Sequence, residues 1–319
     1  MDYFCLSGTL FLEHINMWTS ENNWYKWYYS DRAFGRQLGN DKFSTSFSCG
    51  YIPTKKTFKE EIISASASIL DHYAGAVPSI LFSGGADSEL ILRSFLELKI
   101  KPKVYIFRYE NDYNIYDVSY AVTICSMLGV DYRIIDFNLC KFFENDAERL
   151  SNIAQIDRPR ALAYCKFIEL IDELPILGSS DLSIMRTDDN YSLPGKWIVR
   201  CWEHDTAWSK FILSLNKPAV GEWFKWTPGL VLSYTKTKWC QQLVQDKFHG
   251  KLGVNSTKLV GYREAYPDLI ERKKKTGFEY TDHLVLEFEE YLKQKNNGLI
   301  YRQYFDRSFE NLEKEIFNK

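Results

Sequence analysis

The sequence predicts an α/β fold: a Rossmann-like parallel sheet with flanking helices, joined to a mostly helical C-terminal part. Three observations predict it. Short apolar runs alternate with helix-length amphipathic segments between residues 57 and 178, as right-handed βαβ units require. The first of those runs passes through a glycine turn directly into a helix start, the place where such sheets bind ligands. Beyond about residue 185 the alternation gives way to apolar and aromatic runs separated by turns. The expected division is an N-terminal aromatic-rich segment (1–55), a sheet domain (56–185) and a mostly helical region (186–319).

Residues 1–55 read as short strands and loops, with Thr9-Leu10-Phe11-Leu12 as one apolar run and Phe47 to Pro53 as a strand ended by proline. Thr57 to Leu70 reads as a helix. Phe58, Ile62, Ile63 and Leu70 mark its buried face, and Thr57 with Glu60 makes a capping box. Pro78-Ser79-Ile80-Leu81-Phe82 is a buried strand, and Glu89 to Leu96 is the helix after it. Lys103 to Phe107 is a second strand. Asp117 to Leu128 is a helix that Gly129 ends. Tyr132 to Phe137, a helix over Arg160 to Glu173, and Leu174 to Gly178 complete the alternation. Further on, 207–215, 237–248 and 281–295 read as helices, and Thr227-Pro228-Gly229 as a turn.

Hydrophobic residues make up 45% of the 319, enough for a sizeable core. A formal net charge of −2 argues against a protein that coats nucleic acid. Aromatic residues cluster in 18–29 and 197–226, where core is the expected role. Trp197, Trp202, Trp223 and Trp226 are also candidates for the wall of a substrate pocket. The seven cysteines are dispersed without a C-x-x-C pair, and the five histidines show no zinc spacing. That points to a reducing, cytoplasmic setting. Cys125, Cys140 and Cys165 lie in apolar segments and read as small core residues. The opening Met-Asp-Tyr-Phe-Cys-Leu-Ser-Gly lacks a basic region, so neither a signal peptide nor a membrane span is expected.

Ser83-Gly84-Gly85-Ala86-Asp87-Ser88 joins the first sheet strand to its helix. Backbone N–H groups of such a turn and of the helix N-terminus converge on one point, and the helix dipole adds partial positive charge there. The glycines permit positive φ and close approach of a phosphate. Ser83 and Ser88 add hydroxyl donors. A carboxylate beside a phosphate is repulsive unless a cation lies between, so Asp87 predicts Mg²⁺. No lysine follows the glycines as in the G-x-x-x-x-G-K-[ST] loop.

The six residues resemble the S-G-G-x-D-S loop of the PP-loop ATP pyrophosphatase superfamily (PP-loop/HUP type, adenine nucleotide alpha hydrolase-like). Its members cleave ATP between the α and β phosphates. Two later segments, Leu177-Gly178-Ser179-Ser180-Asp181 and Arg272-Lys273-Lys274-Lys275-Thr276-Gly277-Phe278, follow in order. Together the three resemble the synthetase domain of asparagine synthetase and of β-lactam synthetase, over roughly residues 57–290. The resemblance implies ATP and Mg²⁺ as cofactors, and 56–185 as the ATP-binding domain. It implies that Ser83, Gly84, Gly85, Asp87 and Ser88 hold phosphates and that backbone groups near Leu81 and Phe107 hold adenine. Asp87 and Asp181 are then the metal ligands, and Lys275, with Lys274 as the alternative, the cation for pyrophosphate.

The chain departs from that family twice. Only residues 1–55 precede the helix before the loop and Cys5 is internal, so no glutaminase domain is expected here, and the nitrogen is expected as free ammonia, from a separate glutaminase, or as an amine. The family's Glu or Tyr inside its second motif falls on Gly178. Glu203, in Trp202-Glu203-His204-Asp205, is therefore the candidate for the second half-reaction, with a plain surface carboxylate as the alternative. The expected protein is an AMP-forming carbon–nitrogen ligase acting on a small-molecule carboxylate. The alternative is a PP-loop enzyme modifying a nucleobase or tRNA, for which neither C-x-x-C pairs nor a basic face is evident. A nucleotide-binding scaffold without catalysis is a third reading, against which the intact Ser83, Asp87, Ser88 and Lys275 argue.

Overall fold

The computed structural model describes residues 22, 24–30, 39–178, 182–187, 197–215, 217–245, 254–272 and 276–317. A hairpin of β1 (Lys26–Tyr29) and β2 (Phe43–Ser46) comes first, followed by α1 (Phe58–His72). Then come β3 (Pro78–Leu81), α2 (Ala86–Glu97), β4 (Lys103–Tyr109), α3 (Ile115–Leu128) and β5 (Arg133–Phe137). Three helices, α4 (Leu139–Asn145), α5 (Ala147–Ala154) and α6 (Pro159–Leu170), lead to β6 (Leu174–Leu177).

The central sheet has the order β5-β4-β3-β6, with every pair parallel. β3 is buried at every position, which is why it reads as an unbroken apolar run. From β3 the chain builds outward through β4 to β5, then returns to pair β6 on the other side of β3. Strand ends at such a reversal leave a crevice on their carboxyl side.

Local chemistry places the helices as expected. Both halves of the α1 capping box form: Thr57 Oγ1 accepts from the Glu60 N–H, and the Glu60 carboxylate accepts from the Thr57 N–H at 2.7 Å. Phe58, Ile62, Ala65 and Ile69 are buried on one face of that helix. Gly129 ends α3 in the left-handed conformation, φ 63.

The second half contains β7 (Ser183–Arg186), β8 (Trp197–Trp202), α7 (Ala207–Leu215), α8 (Pro228–Thr235), α9 (Lys238–Val244), α10 (Val254–Tyr262), α11 (Asp282–Lys295), β9 (Tyr304–Ser308) and α12 (Phe309–Phe317). It is mostly helical, but it also carries an antiparallel sheet of order β7-β8-β9 that the sequence pattern hid. Charges inside the strands hid it: Arg200 of β8 lies opposite Asp306 of β9, its Nε and Nη2 each donating to the carboxylate at 2.8 Å.

Other expectations are corrected. The strand over 47–53 does not form, because its backbone donors go to the C-terminal helix region: Phe47 N to Glu315 at 2.9 Å and Tyr51 N to the Ile316 carbonyl at 3.1 Å. Cys125 and Cys165 are buried, but Cys140 in the first turn of α4 is exposed. The 9–12 run lies outside the described residues. The β1–β2 hairpin packs on the second half: Trp24 Nε1 donates to the Trp226 carbonyl at 3.0 Å, and Arg307 Nη1 to Thr45 Oγ1 at 2.6 Å. Among the described residues no helix is long and apolar enough to cross a membrane.

Candidate active site

The Ser83–Ser88 loop leaves the carboxyl end of β3 and opens α2 at Ala86. Gly84 has φ +72, and a Cβ there would lie 2.4 Å from the Asp117 carbonyl oxygen and 2.9 Å from the Ala121 nitrogen. Only glycine lets the loop press this closely on α3. Gly85 N–H faces Ser83 Oγ at 3.4 Å, Ser88 Oγ donates to the Gly85 carbonyl at 3.0 Å, and the two serine hydroxyls are 3.5 Å apart. Hydroxyls and turn N–H groups thus gather at the start of a 12-residue helix.

A cleft of about 440 Å³, counting space open to solvent, lies beside the loop. Leu81, Ser83, Phe107 and Tyr109 line it from the strand ends, and Asn114, Asp117, Arg160 and Thr276 line it from around them. The Phe107 ring stacks on Phe167 with centroids 3.7 Å apart. Its carbonyl, which the family resemblance offers to adenine, accepts from Asn114 Nδ2 at 2.8 Å; Asn114 Oδ1 accepts from the Tyr109 N–H at 2.8 Å.

Asp87 is held from α10. Lys258 Nζ donates to Oδ2 at 2.9 Å and Tyr262 Oη to Oδ1 at 2.7 Å. Asp181 and Lys275, with Lys273 and Lys274, lie outside the described residues. Both Asp87 oxygens are engaged, one of them by a cation, and no group of three or more His, Cys, Asp or Glu among the described residues is placed to hold a metal. The described donors therefore do not fit a resident Mg²⁺ by themselves.

The described flanks of the later motifs do reach the site. A Cβ on Gly178 would lie 2.6 Å from the Cα and the nitrogen of Ser88, so the segment after β6 starts against the loop. Gly277, φ +86, packs so that a Cβ would lie 2.8 Å from Tyr109, and Phe278 meets the Tyr109 ring edge-on at 5.6 Å.

Lys258, Tyr262 and Arg272 are site residues that sequence reasoning missed. Arg272 Nη1 donates to the Gly84 carbonyl at 2.6 Å, and Nη2 pairs with Glu89. Burial pulls the Arg272 pKa down to about 10, against the pull of Asp87, which leaves it a cation at neutral pH. Its one sequence signal is its place at the head of the basic run. Nothing local links Lys258 or Tyr262 to a loop 171 and 175 residues earlier.

Glu203 is not the surface carboxylate of the alternative reading: it is wholly buried after β8, and its Oε2 accepts from the Gln303 N–H at 2.9 Å, holding the chain at the entry to β9. It does not line the cleft beside the loop. Next to Glu203, burial together with the cations Arg158, Lys225 and Arg302 pushes the His204 pKa down to about 3. Its Nε2 lies 3.3 Å from Asp205. Burial raises the Asp205 carboxyl against Lys225, Arg158 and Lys258. The tryptophans do not wall the cleft; Trp223 and Trp226 are core residues.

No protein-family model and no curated protein matches the sequence. Among the solved structures that show a distant likeness are these two. One is a predicted subunit of tRNA methyltransferase from Methanocaldococcus jannaschii, with TM-score 0.31, 17% identity, and coverage of 63% of this chain and 94% of that one. The other is NMN synthetase from Francisella tularensis, with TM-score 0.32, 11% identity, and coverage of 68% and 97%.

Proposed function

We propose that the chain is an ATP-dependent adenylating enzyme that cleaves ATP to AMP and pyrophosphate and activates a small carboxylate for amide formation. The observation that carries this reading is the placement of the S-G-G-x-D-S loop. It lies at the carboxyl end of the central parallel strand, where strand order reverses, beside an open cleft. Leu81 and Phe107 flank the place for adenine. Ser83, Gly84, Gly85 and Ser88 offer donors to the phosphates, and Mg²⁺ enters as part of the substrate Mg·ATP.

The carboxylate oxygen attacks the α-phosphorus, the bond from that phosphorus to the β-phosphate bridge breaks, and pyrophosphate leaves. Lys258, with Lys275 by family resemblance, offsets the charge that develops on it. Arg160 in the cleft wall is a suitable partner for the incoming carboxylate. Ammonia or an amine then attacks the carbonyl carbon and AMP departs. Positioning and electrostatics supply the catalysis, so no nucleophilic side chain is needed.

The test is ATP–pyrophosphate exchange over amino acids, other small carboxylates and nucleobases. Exchange that depends on a carboxylate is expected; formation of ADP, or no exchange across the panel, sinks the reading. Lys275→Ala should lower exchange about 100-fold and Lys273→Ala only slightly. One feature favours a second reading. Tyr113 and Tyr280 stack at 5.1 Å and 17°, adjoining cleft-lining Asn114 and the Thr276 segment, and Tyr280 is 51% exposed, as a platform for a base. Exchange driven by a nucleobase or tRNA alone would select that reading.

A further inference from the structure

Gly84 and Gly85 give the loop its shape, and the same freedom leaves the peptide between them able to turn either way. In a trans peptide the carbonyl and the next N–H point in opposite directions. In the structure the Gly84 carbonyl points to Arg272 Nη1 at 2.6 Å. The Gly85 N–H is therefore turned toward Ser83 Oγ, the side on which the loop hydroxyls gather. A flipped peptide would put a carbonyl oxygen there and repel an anion.

Arg272 is itself held. Its Nη2 pairs with Glu89, a carboxylate 2% exposed on the first turn of α2. Glu89 is shared with Arg93, whose Nε donates to Oε1 at 2.7 Å, and Arg93 Nη1 reaches Asp268 at 2.9 Å. A guanidinium anchored by one nitrogen on a buried carboxylate can present another to a carbonyl in fixed geometry. An ammonium, with its single nitrogen, has no such fork.

We propose that Arg272 is a positioning residue for the phosphate loop: braced on Glu89, it holds the Gly84–Gly85 peptide in the orientation that receives an anion. This rests on the reading of the loop as a phosphate seat. It adds a role for a residue outside the loop.

The experiment compares the native chain with Arg272→Lys and Arg272→Gln. ATP, inorganic pyrophosphate and adenosine are titrated separately, and amide hydrogen exchange is followed over residues 82–90. Both variants should bind ATP and pyrophosphate about tenfold more weakly. Adenosine affinity should stay at the native value, and exchange in the loop should quicken. A purely structural role would weaken adenosine as much as ATP, and that result overturns the proposal. So does native ATP affinity with unchanged exchange in the Lys variant. If the native chain binds neither ATP nor pyrophosphate, the phosphate-seat reading fails by itself. Exchange then still decides whether Arg272 holds the loop: faster exchange in the variants supports the clamp, and unchanged exchange removes it. Thermal unfolding of each variant checks the fold. Should Arg272→Gln not fold, Arg272→Lys and Glu89→Gln carry the same comparison.

Discussion

The Ser83–Ser88 loop and the Glu222–Lys225 region are both polar and set into the interior, yet they are built in opposite ways. The loop offers backbone groups and hydroxyls that are neighbours in sequence, beside an open cleft. Around Lys225, by contrast, whole charges are enclosed among aromatic rings. Lys225 is 1% exposed, its Nζ lies 3.4 Å from Glu222 and 4.7 Å from the Tyr25 ring centre, and its carbonyl accepts from Asn22 at 2.6 Å. The first region keeps its polarity available for a ligand. The second uses its polarity to fasten the β1–β2 hairpin to the C-terminal half. Substitutions should therefore separate, with function lost at the loop and stability lost at the buried pair.

The largest effect expected is at the loop. Asp87→Asn removes the carboxylate that holds Lys258 and Tyr262 beside the loop and should lower pyrophosphate release by about 1000-fold, a loss of about 4 kcal/mol in transition-state stabilisation, while the chain stays folded. Turnover at the native rate would remove Asp87 from the site. At the other pole, Lys225→Met removes the buried cation 3.4 Å from Glu222 and should cost about 3 kcal/mol in urea unfolding. ATP affinity of the folded fraction should be unchanged; a variant that is stable but blind to ATP would collapse the contrast between the two regions.

A smaller effect sharpens the picture of the second region. His204 is pushed from 6.5 down to about 3, so between these values the unfolded chain binds more protons than the folded one. Stability contributed by neutral His204 is thus full above pH 6.5 and is lost as pH falls toward 3, at no more than about 1.4 kcal/mol per pH unit. Denaturation of His204→Gln beside the native chain across this range should isolate the histidine, as a flatter acid limb in the variant. Parallel curves would mean that His204 is not held neutral by its surroundings. Smallest is Thr57→Ala, which removes the α1 cap and should cost about 1 kcal/mol by thermal unfolding with no change at the site.

Legibility in the sequence follows the range of the interactions involved. The βαβ alternation, the α1 capping box, the Gly129 terminus and the glycine loop each rest on residues a few positions apart, and each forms in the structure. The second sheet was hidden because β8 pairs with β9 across a long separation, Ile198 opposite Ser308, with an ion pair inside the strands in place of apolar alternation. The burial of Glu203 was hidden for a related reason. A carboxylate between a tryptophan and a histidine reads as surface or as catalyst, and its acceptor role for the Gln303 N–H lies 100 residues away.

By itself the sequence determined the parallel sheet, the helices around it and the loop at the end of its first strand. Periodicity, caps and glycine conformations are local and act before the chain closes on itself. The tertiary structure alone decided what faces that loop. Lys258 and Tyr262 reach Asp87 from α10, and Arg272 reaches the Gly84 carbonyl. A charge placed next to another by folding leaves no mark on the spacing of either in the sequence.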